Sequence, residues 1–111
     1  MGNSHDVSAF TQGEEINPND HDIRIKITNI DRRNNTLEAV VIKAEGHFST
    51  TRGAEKGHPQ GGFQVGMELV FEQTFPNSWT PHPKKIRRPS NIPWFDLTIL
   101  DDGTKRFEHY R

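Results

Sequence analysis

The chain has 111 residues and a mass of 12.7 kDa, the length of a single domain. It contains no cysteine, which excludes disulfides, thiolate metal sites and cysteine nucleophiles. The short length and a hydrophobic fraction of 31% predict a small core, and the net charge is −1. No apolar run approaches the roughly 18 residues of a membrane span, and no signal peptide is recognisable. We therefore expect a cytoplasmic protein with no membrane partner.

The first part of the chain differs from the rest in its charge. Residues 1–22 contain acidic side chains and no Lys or Arg; the acids are Asp6, Glu14, Glu15, Asp20 and Asp22. The few apolar residues of this part, Val7, Phe10 and Ile16, follow no sustained period. Polar segments without a hydrophobic period are typical of disorder. The composition predicts an acidic, disordered arm at 1–21 and a single β domain at 22–111.

The clearest structural signal in the chain is a hairpin near its start. Apolar and polar residues alternate strictly over 23–28, which is typical of a half-buried strand. The inward face carries Ile23, Ile25 and Ile27, and the outward face carries Arg24, Lys26 and Thr28. Asp and Asn residues in 31–35 predict a turn. Residues 36–44 then form the partner strand, and the apolar run 39–42 favours a central position or a bulge.

The rest of the chain alternates between long loops and strands. Five glycines predict a loop at 45–62, and 63–72 returns to strand composition with Gly66 as a bend or a bulge. A second long loop spans 73–93, where five of the seven prolines exclude a helix and a central strand. Strands at 94–100 and 104–110 are joined by an Asp-Asp-Gly turn.

These elements together predict an all-β fold. No segment of ten or more residues has helical periodicity. We expect a small antiparallel five-stranded barrel or sandwich, either OB-like or SH3-like, with a disordered N-terminal arm. The hydrophobic pattern does not determine the order of the strands.

The candidate ligand-binding residues combine basic and aromatic side chains. They are Trp79, His82, Lys84, Lys85, Arg87, Arg88 and Trp94, with Arg24 and Lys26 on the outward face of the first strand. Lys and Arg neutralise phosphates, and aromatic faces stack on exposed bases. The pattern favours a binding module for single-stranded nucleic acid or another polyanion. In the alternative structural interpretation, the tryptophans fix the loop to the core and the basic groups are only solvated.

Two further interpretations remain open. The same Trp, Arg and Pro residues are typical of protein–protein interfaces, so an adaptor or a small inhibitor also fits, and a homodimer is one form of such an interface. Loop histidines, His47, His58 and His82, would serve a small enzyme or a metal-binding protein. No catalytic motif is present, and no two histidines have the i, i+4 or H-x-H spacing of a metal site. We therefore expect no catalytic residue, no metal and no cofactor.

Overall fold

A computed structural model of the chain describes residues 6–17, 22–45, 63–83 and 95–109. These residues form a short 3₁₀ helix, Val7–Ala9, and one antiparallel sheet in which each strand neighbours the next along the chain. The strands are β1 (Glu15–Ile16), β2 (Ile23–Asp31), β3 (Thr36–Ala44), β4 (Glu68–Phe75), β5 (Ser78–Pro83), β6 (Phe95–Ile99) and β7 (Lys105–His109). β1 and β2 also lie against β7, so the sheet nearly closes into a barrel. The predicted all-β antiparallel barrel or sandwich is confirmed, with seven strands in the described residues instead of five.

The two predicted hairpins are confirmed. β2 pairs with β3 in a register that places Ile25 opposite Val41 and Ile27 opposite Ala39, and all four side chains are buried. Two irregularities in this register accompany the apolar run in β3, which lies centrally between β2 and β4. β6 and β7 form the second hairpin, whose turn contains Gly103 with a φ of 88°. Positive φ is the conformation for which the Asp-Asp-Gly sequence predicts a turn.

The strand expected at 63–72 begins later than its composition indicates. Phe63 forms an isolated bridge, and regular pairing starts at Glu68. Between them Gly66 adopts a φ of 93°, and its N–H donates to the Val41 carbonyl at 2.7 Å. The bend expected at Gly66 is therefore confirmed, and it is the reason why the alternation of apolar residues does not correspond to one continuous strand.

The exclusion of a central strand from 73–93 is wrong, because β5 lies between β4 and β6. Pro81 and Pro83 pair with Phe71 and Leu69 of β4, whereas the described pairing with β6 involves only Ser78 and Trp79. Residues two apart in a strand direct their backbone groups to the same side. Both prolines therefore direct the missing N–H away from β4, to the side on which the described residues make no ladder bond with them. This half of β5 tolerates proline as an edge strand does.

The expectation of a disordered arm is wrong for residues 6–17. Val7, Phe10 and Ile16 are buried and belong to the same hydrophobic core as the strands. Asp6 caps the 3₁₀ helix by accepting from the Ser8 N–H, and β1 pairs with β2. The sequence pattern missed this because the three apolar side chains are contributed by irregular backbone and a two-residue strand, which leave no period.

One side chain joins the two edges of the sheet. Asn17 is 2% exposed and has a φ of 62°. Its Nδ2 donates to the carbonyls of Phe107 at 2.6 Å and Ile23 at 3.2 Å, and its Oδ1 accepts from the Phe107 N–H at 3.2 Å. Its side-chain amide thus satisfies both backbone groups of Phe107, as a residue of a neighbouring strand would.

The alternation of strand direction gives the barrel two different ends. The turn end consists of the β2–β3, β4–β5 and β6–β7 turns together with the helix Val7–Ala9. At the opposite loop end, β3 and β5 finish and β4 and β6 begin. No described helix has the length and hydropathy needed to cross a membrane.

Candidate functional site

Trp79, which we expected to stack on a base, lies inside the barrel. Its side chain is 0% exposed, and the Phe10 ring packs edge-on against it with 5.1 Å between centroids. The Trp79 Nε1 is the one buried side-chain polar atom of the described residues that lacks a hydrogen-bond partner. A ring with no exposed surface cannot stack on a ligand. The expected binding role of Trp79 is therefore wrong, and the structural interpretation holds for this residue.

The three other described candidates lie on the outer surface but do not converge. His82 on β5 is half-buried, with its Nε2 3.8 Å from Glu72 Oε1. The Arg24 side chain donates from Nε to the Asn17 carbonyl at 3.3 Å, and its Nη1 lies 4.0 Å from Glu15 Oε1. Lys26 is exposed on β2. β3 and β4 separate β2 from β5, so Arg24 and Lys26 do not continue a surface that starts at His82.

The remaining candidates lie outside the described residues. They are Lys84, Lys85, Arg87, Arg88 and Trp94, and the loop histidines His47 and His58. The described strands fix where this part of the chain starts and returns, because Pro83 ends β5 and Phe95 begins β6 at the loop end. The described residues contain no group of three His, Asp or Glu side chains that could hold a metal ion.

The outer face of β4–β6 is acidic. Its outward positions carry Glu68, Glu72 and Asp96, and in the described part of these strands they carry no Lys or Arg. Partial burial raises the pKa of Asp96, and a hydrogen bond from the Thr80 hydroxyl at 3.4 Å opposes that rise. Because like charges repel, this face does not provide a track for a polyanion.

An exposed aromatic side chain lies at the turn end. The β4–β5 register shifts between Gln73 and Phe75, and Phe75 is 60% exposed. Phe75 has the same parity in sequence as the buried Phe71, so alternation alone would place it in the core. β-Bulges redirect side chains in this way. Sequence analysis missed Phe75 because the shift that turns it outward has no signature in the hydrophobic pattern.

Phe75 and Pro76 form a ridge between two open grooves. The first, of about 750 Å³, lies between the ridge and the helix Val7–Ala9, and Asp6 and Asn35 contribute to its lining. The second, of about 610 Å³, lies between Pro76 and the β6–β7 turn. Leu100, which is 39% exposed, lines the second groove. The turn end therefore presents two apolar side chains beside concave surfaces.

Asn35 ties the walls of the first groove together. It adopts a φ of 56° in the β2–β3 turn. Its Oδ1 accepts from the Val7 N–H at 3.2 Å, and its Nδ2 donates to Gln73 Oε1. The helix, the β2–β3 turn and the end of β4 are thereby fixed relative to one another. A preformed groove of this kind loses little conformational entropy when a ligand enters.

The ionisable side chains that line the two grooves are acidic: Asp6 in the first and Asp101 and Asp102 in the second. Hydrogen bonds from Ser8 lower the pKa of Asp6, and hydrogen bonds from Thr104 lower the pKa of Asp102. The charges of Arg32 and Arg106 make the smallest contributions to these two pKa values. Asp6 and Asp102 therefore carry negative charge at neutral pH.

The grooves at the turn end differ in charge from the sequence that follows β5. Carboxylates line the grooves. β5 ends at Pro83, and residues 84–88 of the sequence contain basic side chains and no acid. No protein-family model, no curated protein and no solved structure matches the chain. These two regions are the candidate functional sites.

Proposed function

We propose that this protein is a non-catalytic binding module for a polyanion, preferentially single-stranded nucleic acid. The basic segment, residues 84–88, supplies Lys84, Lys85, Arg87 and Arg88 for the phosphates, and Trp94 supplies a face for a base. The observation that carries the proposal is the density of these four charges within 73–95, a stretch that contains no acidic residue.

The surroundings of the basic segment support a contact limited to the loop end. The acidic outer face of β4–β6 repels phosphates, and the Arg24 guanidinium is engaged by Asn17 and Glu15. Lys26 lies on β2, separated from β5 by two strands. The proposed contact therefore consists of the basic segment and Trp94, with His82 preceding them on β5.

The test is a titration of a fluorescein-labelled oligothymidylate of twelve nucleotides, followed by anisotropy at several salt concentrations. If four cations contact phosphates of a single strand, log K falls with log salt at a slope of about −2.8, which is four times about −0.7. Affinity then drops about 50-fold between 50 and 200 mM salt. Replacing the four basic residues together by Gln is expected to abolish this dependence.

A matched variant separates the basic segment from net charge. Gln at Lys26, Arg32, Arg33 and Lys43 removes the same charge from exposed or half-exposed positions of the β2–β3 hairpin. We expect this variant to retain the affinity and the salt slope of the unmodified protein to within about threefold. Equal loss in both variants, or no binding by the unmodified protein at 50 mM salt, contradicts the proposal.

A further inference from the structure

The turn end has the properties of a second binding surface, of a different kind from the basic segment. Phe75 and Leu100 are exposed there, and Pro76 stiffens the turn between the grooves. Exposed apolar side chains at the edge of preformed grooves are typical of interaction sites. The alternation along β4 would bury Phe75, and the register shift after Gln73 turns it outward. The bulge thus exposes an aromatic ring that the barrel does not use in its core.

The charge of the side chains that line the grooves indicates the class of partner. Their lining carboxylates are Asp6, Asp101 and Asp102, and no Lys or Arg is among the described lining residues. Phosphates are disfavoured inside grooves that carboxylates line. A second copy docked by the same face would place these carboxylates against one another. A partner that carries apolar and cationic side chains together matches the surface in both respects.

We propose that the Phe75–Pro76 ridge docks an extended protein segment in which a bulky apolar side chain is flanked by Lys or Arg. The apolar side chain packs against Phe75 and Leu100, and the flanking cations face the carboxylates of the two grooves. Asn35 holds the first groove in its open form, so docking requires little rearrangement of the barrel. The sequence predicted a protein partner for the Trp, Arg and Pro residues of 73–93; the proposed contact uses Phe75 and Pro76 at the start of that stretch, at the turn end of the barrel.

The probe is a fluorescein-labelled synthetic peptide, Gly-Ser-Arg-Lys-Leu-Leu-Arg-Lys-Ser-Gly, titrated with the full chain and followed by anisotropy. Two control peptides replace either its four cations by Gln or its two Leu residues by Ser. We expect Phe75→Ser to weaken binding of the parent peptide at least about tenfold, as the loss of a moderate hot spot does. Asp101→Asn is expected to weaken it about threefold and to reduce its dependence on salt.

The matched control variant is Val65→Ser. Val65 is 67% exposed and lies in the turn that precedes β4, away from the turn end, so an exposed apolar side chain is lost at a different place on the surface. This variant is expected to bind the parent peptide like the unmodified protein. The proposal is overturned if Val65→Ser weakens binding as much as Phe75→Ser, if the peptide without cations binds equally well, or if the parent peptide does not bind the unmodified chain.

Two measurements distinguish other occupants of this surface. Sedimentation that shows a concentration-dependent dimer, lost in Phe75→Ser, would assign the ridge to a second copy and overturn the proposal. Oligonucleotide binding that is lost in Phe75→Ser would assign it to nucleic acid and also overturn it. The variant with Gln at all four basic positions of 84–88 should still bind the peptide. Each of the two proposals can therefore fail in its own test without affecting the other.

Discussion

For single residues of this barrel, the residue type and the position in the fold can indicate different roles. Trp79 is a residue type that can stack on a ligand, but its side chain is buried in the core, and this burial determines its role. Its neighbours Thr80 and His82 face outward and are polar, so the alternation of β5 correctly sorts the strand into two faces. What the sequence could not reveal is that β5 is a strand at all. The proline content argues against a strand here, and the side of the sheet that Trp79 faces cannot be predicted until the strand is assigned.

Asp96 provides a pH-dependent test at the residue scale. Burial raises its pKa above the ordinary value of 3.8, so the charged carboxylate is less favourable in the folded barrel than in the unfolded chain. The stability that the protonated Asp96 carboxyl contributes to the folded barrel is therefore lost as pH rises from 3.8 through the higher folded-state pKa. Asp96→Asn removes the charge and keeps an oxygen that accepts from the Thr80 hydroxyl. We expect the variant to be more stable at pH 7 by less than about 1 kcal/mol, because the site is partly solvated.

Urea unfolding at pH 7 and pH 3.5 checks this expectation. The advantage of Asp96→Asn should vanish at pH 3.5, where the unfolded carboxyl is largely protonated. Asp31 supplies the control, since hydrogen bonds from Asn34 lower its pKa. Asp31→Asn should show the opposite sign, with a loss of stability at pH 7 that diminishes as pH falls. A variant of Asp96 that is less stable than the unmodified protein at pH 7 would contradict the argument.

At the scale of elements, hydrophobic alternation predicted the strands that make regular ladders. β2, β3, β6 and β7 lie within about a residue or two of their expected bounds, apart from three added residues at the end of β2. β4 begins later than expected because the bend at Gly66 separates Phe63 from the regular pairing that starts at Glu68. β1 was missed because two residues are too short to show alternation. The hydrophobic pattern therefore predicts regularly paired strands and does not predict the side-chain contacts that close the sheet.

Asn17 is one of the contacts that close the sheet, and its substitution tests this role. Asn17→Ala removes the hydrogen bonds that the Asn17 amide makes to the N–H and carbonyl of Phe107 and to the carbonyl of Ile23. The loss of three buried hydrogen bonds and the positive φ together predict a loss of about 3–5 kcal/mol in the free energy of unfolding. Asn17→Gly tolerates the φ of 62° and should recover about 1 kcal/mol of that loss.

Chemical denaturation of both variants measures the two contributions separately. Asn29→Ala is the matched control, because Asn29 is exposed on β2 and its side chain makes one long contact, 3.4 Å, to Glu38. That substitution should change the free energy of unfolding by no more than about 0.5 kcal/mol. If Asn17→Ala also falls within this limit, the Asn17 amide does not stabilise the junction between β7 and the first two strands.

At the scale of the whole molecule, the two candidate surfaces differ in how far the sequence could reveal them. The basic segment 84–88 is visible in the sequence, because charge density needs no knowledge of the fold. The ridge of Phe75 and Pro76 is not, since it depends on a register shift and on three turns that meet at one end of the barrel. A surface assembled from distant segments becomes visible only when the order and direction of the strands are known.

The N-terminal arm determines whether the molecule unfolds as one unit. Phe10 packs on Trp79, and Lys105 Nζ lies 5.0 Å from the centroid of the Phe10 ring. The same ammonium group is 2.7 Å from Glu14 Oε2, so residues 10–14 contact both the core and β7. Because small domains have only about 5–15 kcal/mol of total stability, an arm that supplies core side chains is expected to unfold together with the barrel.

Phe10→Ala tests this coupling. We expect a loss of about 3–4 kcal/mol, the usual effect of removing a buried aromatic ring. Phe75→Ala removes the same ring from an exposed position and should change stability by no more than about 0.5 kcal/mol. Far-UV circular dichroism and the fluorescence of Trp79, measured in a Trp94→Phe background, should give coincident unfolding curves. A separate early transition in the fluorescence, or a Phe10→Ala effect no larger than that of Phe75→Ala, would show that the arm is an accessory to the barrel. Coincident curves together with a large Phe10 effect would mean that the acidic N-terminal segment is part of the folding unit.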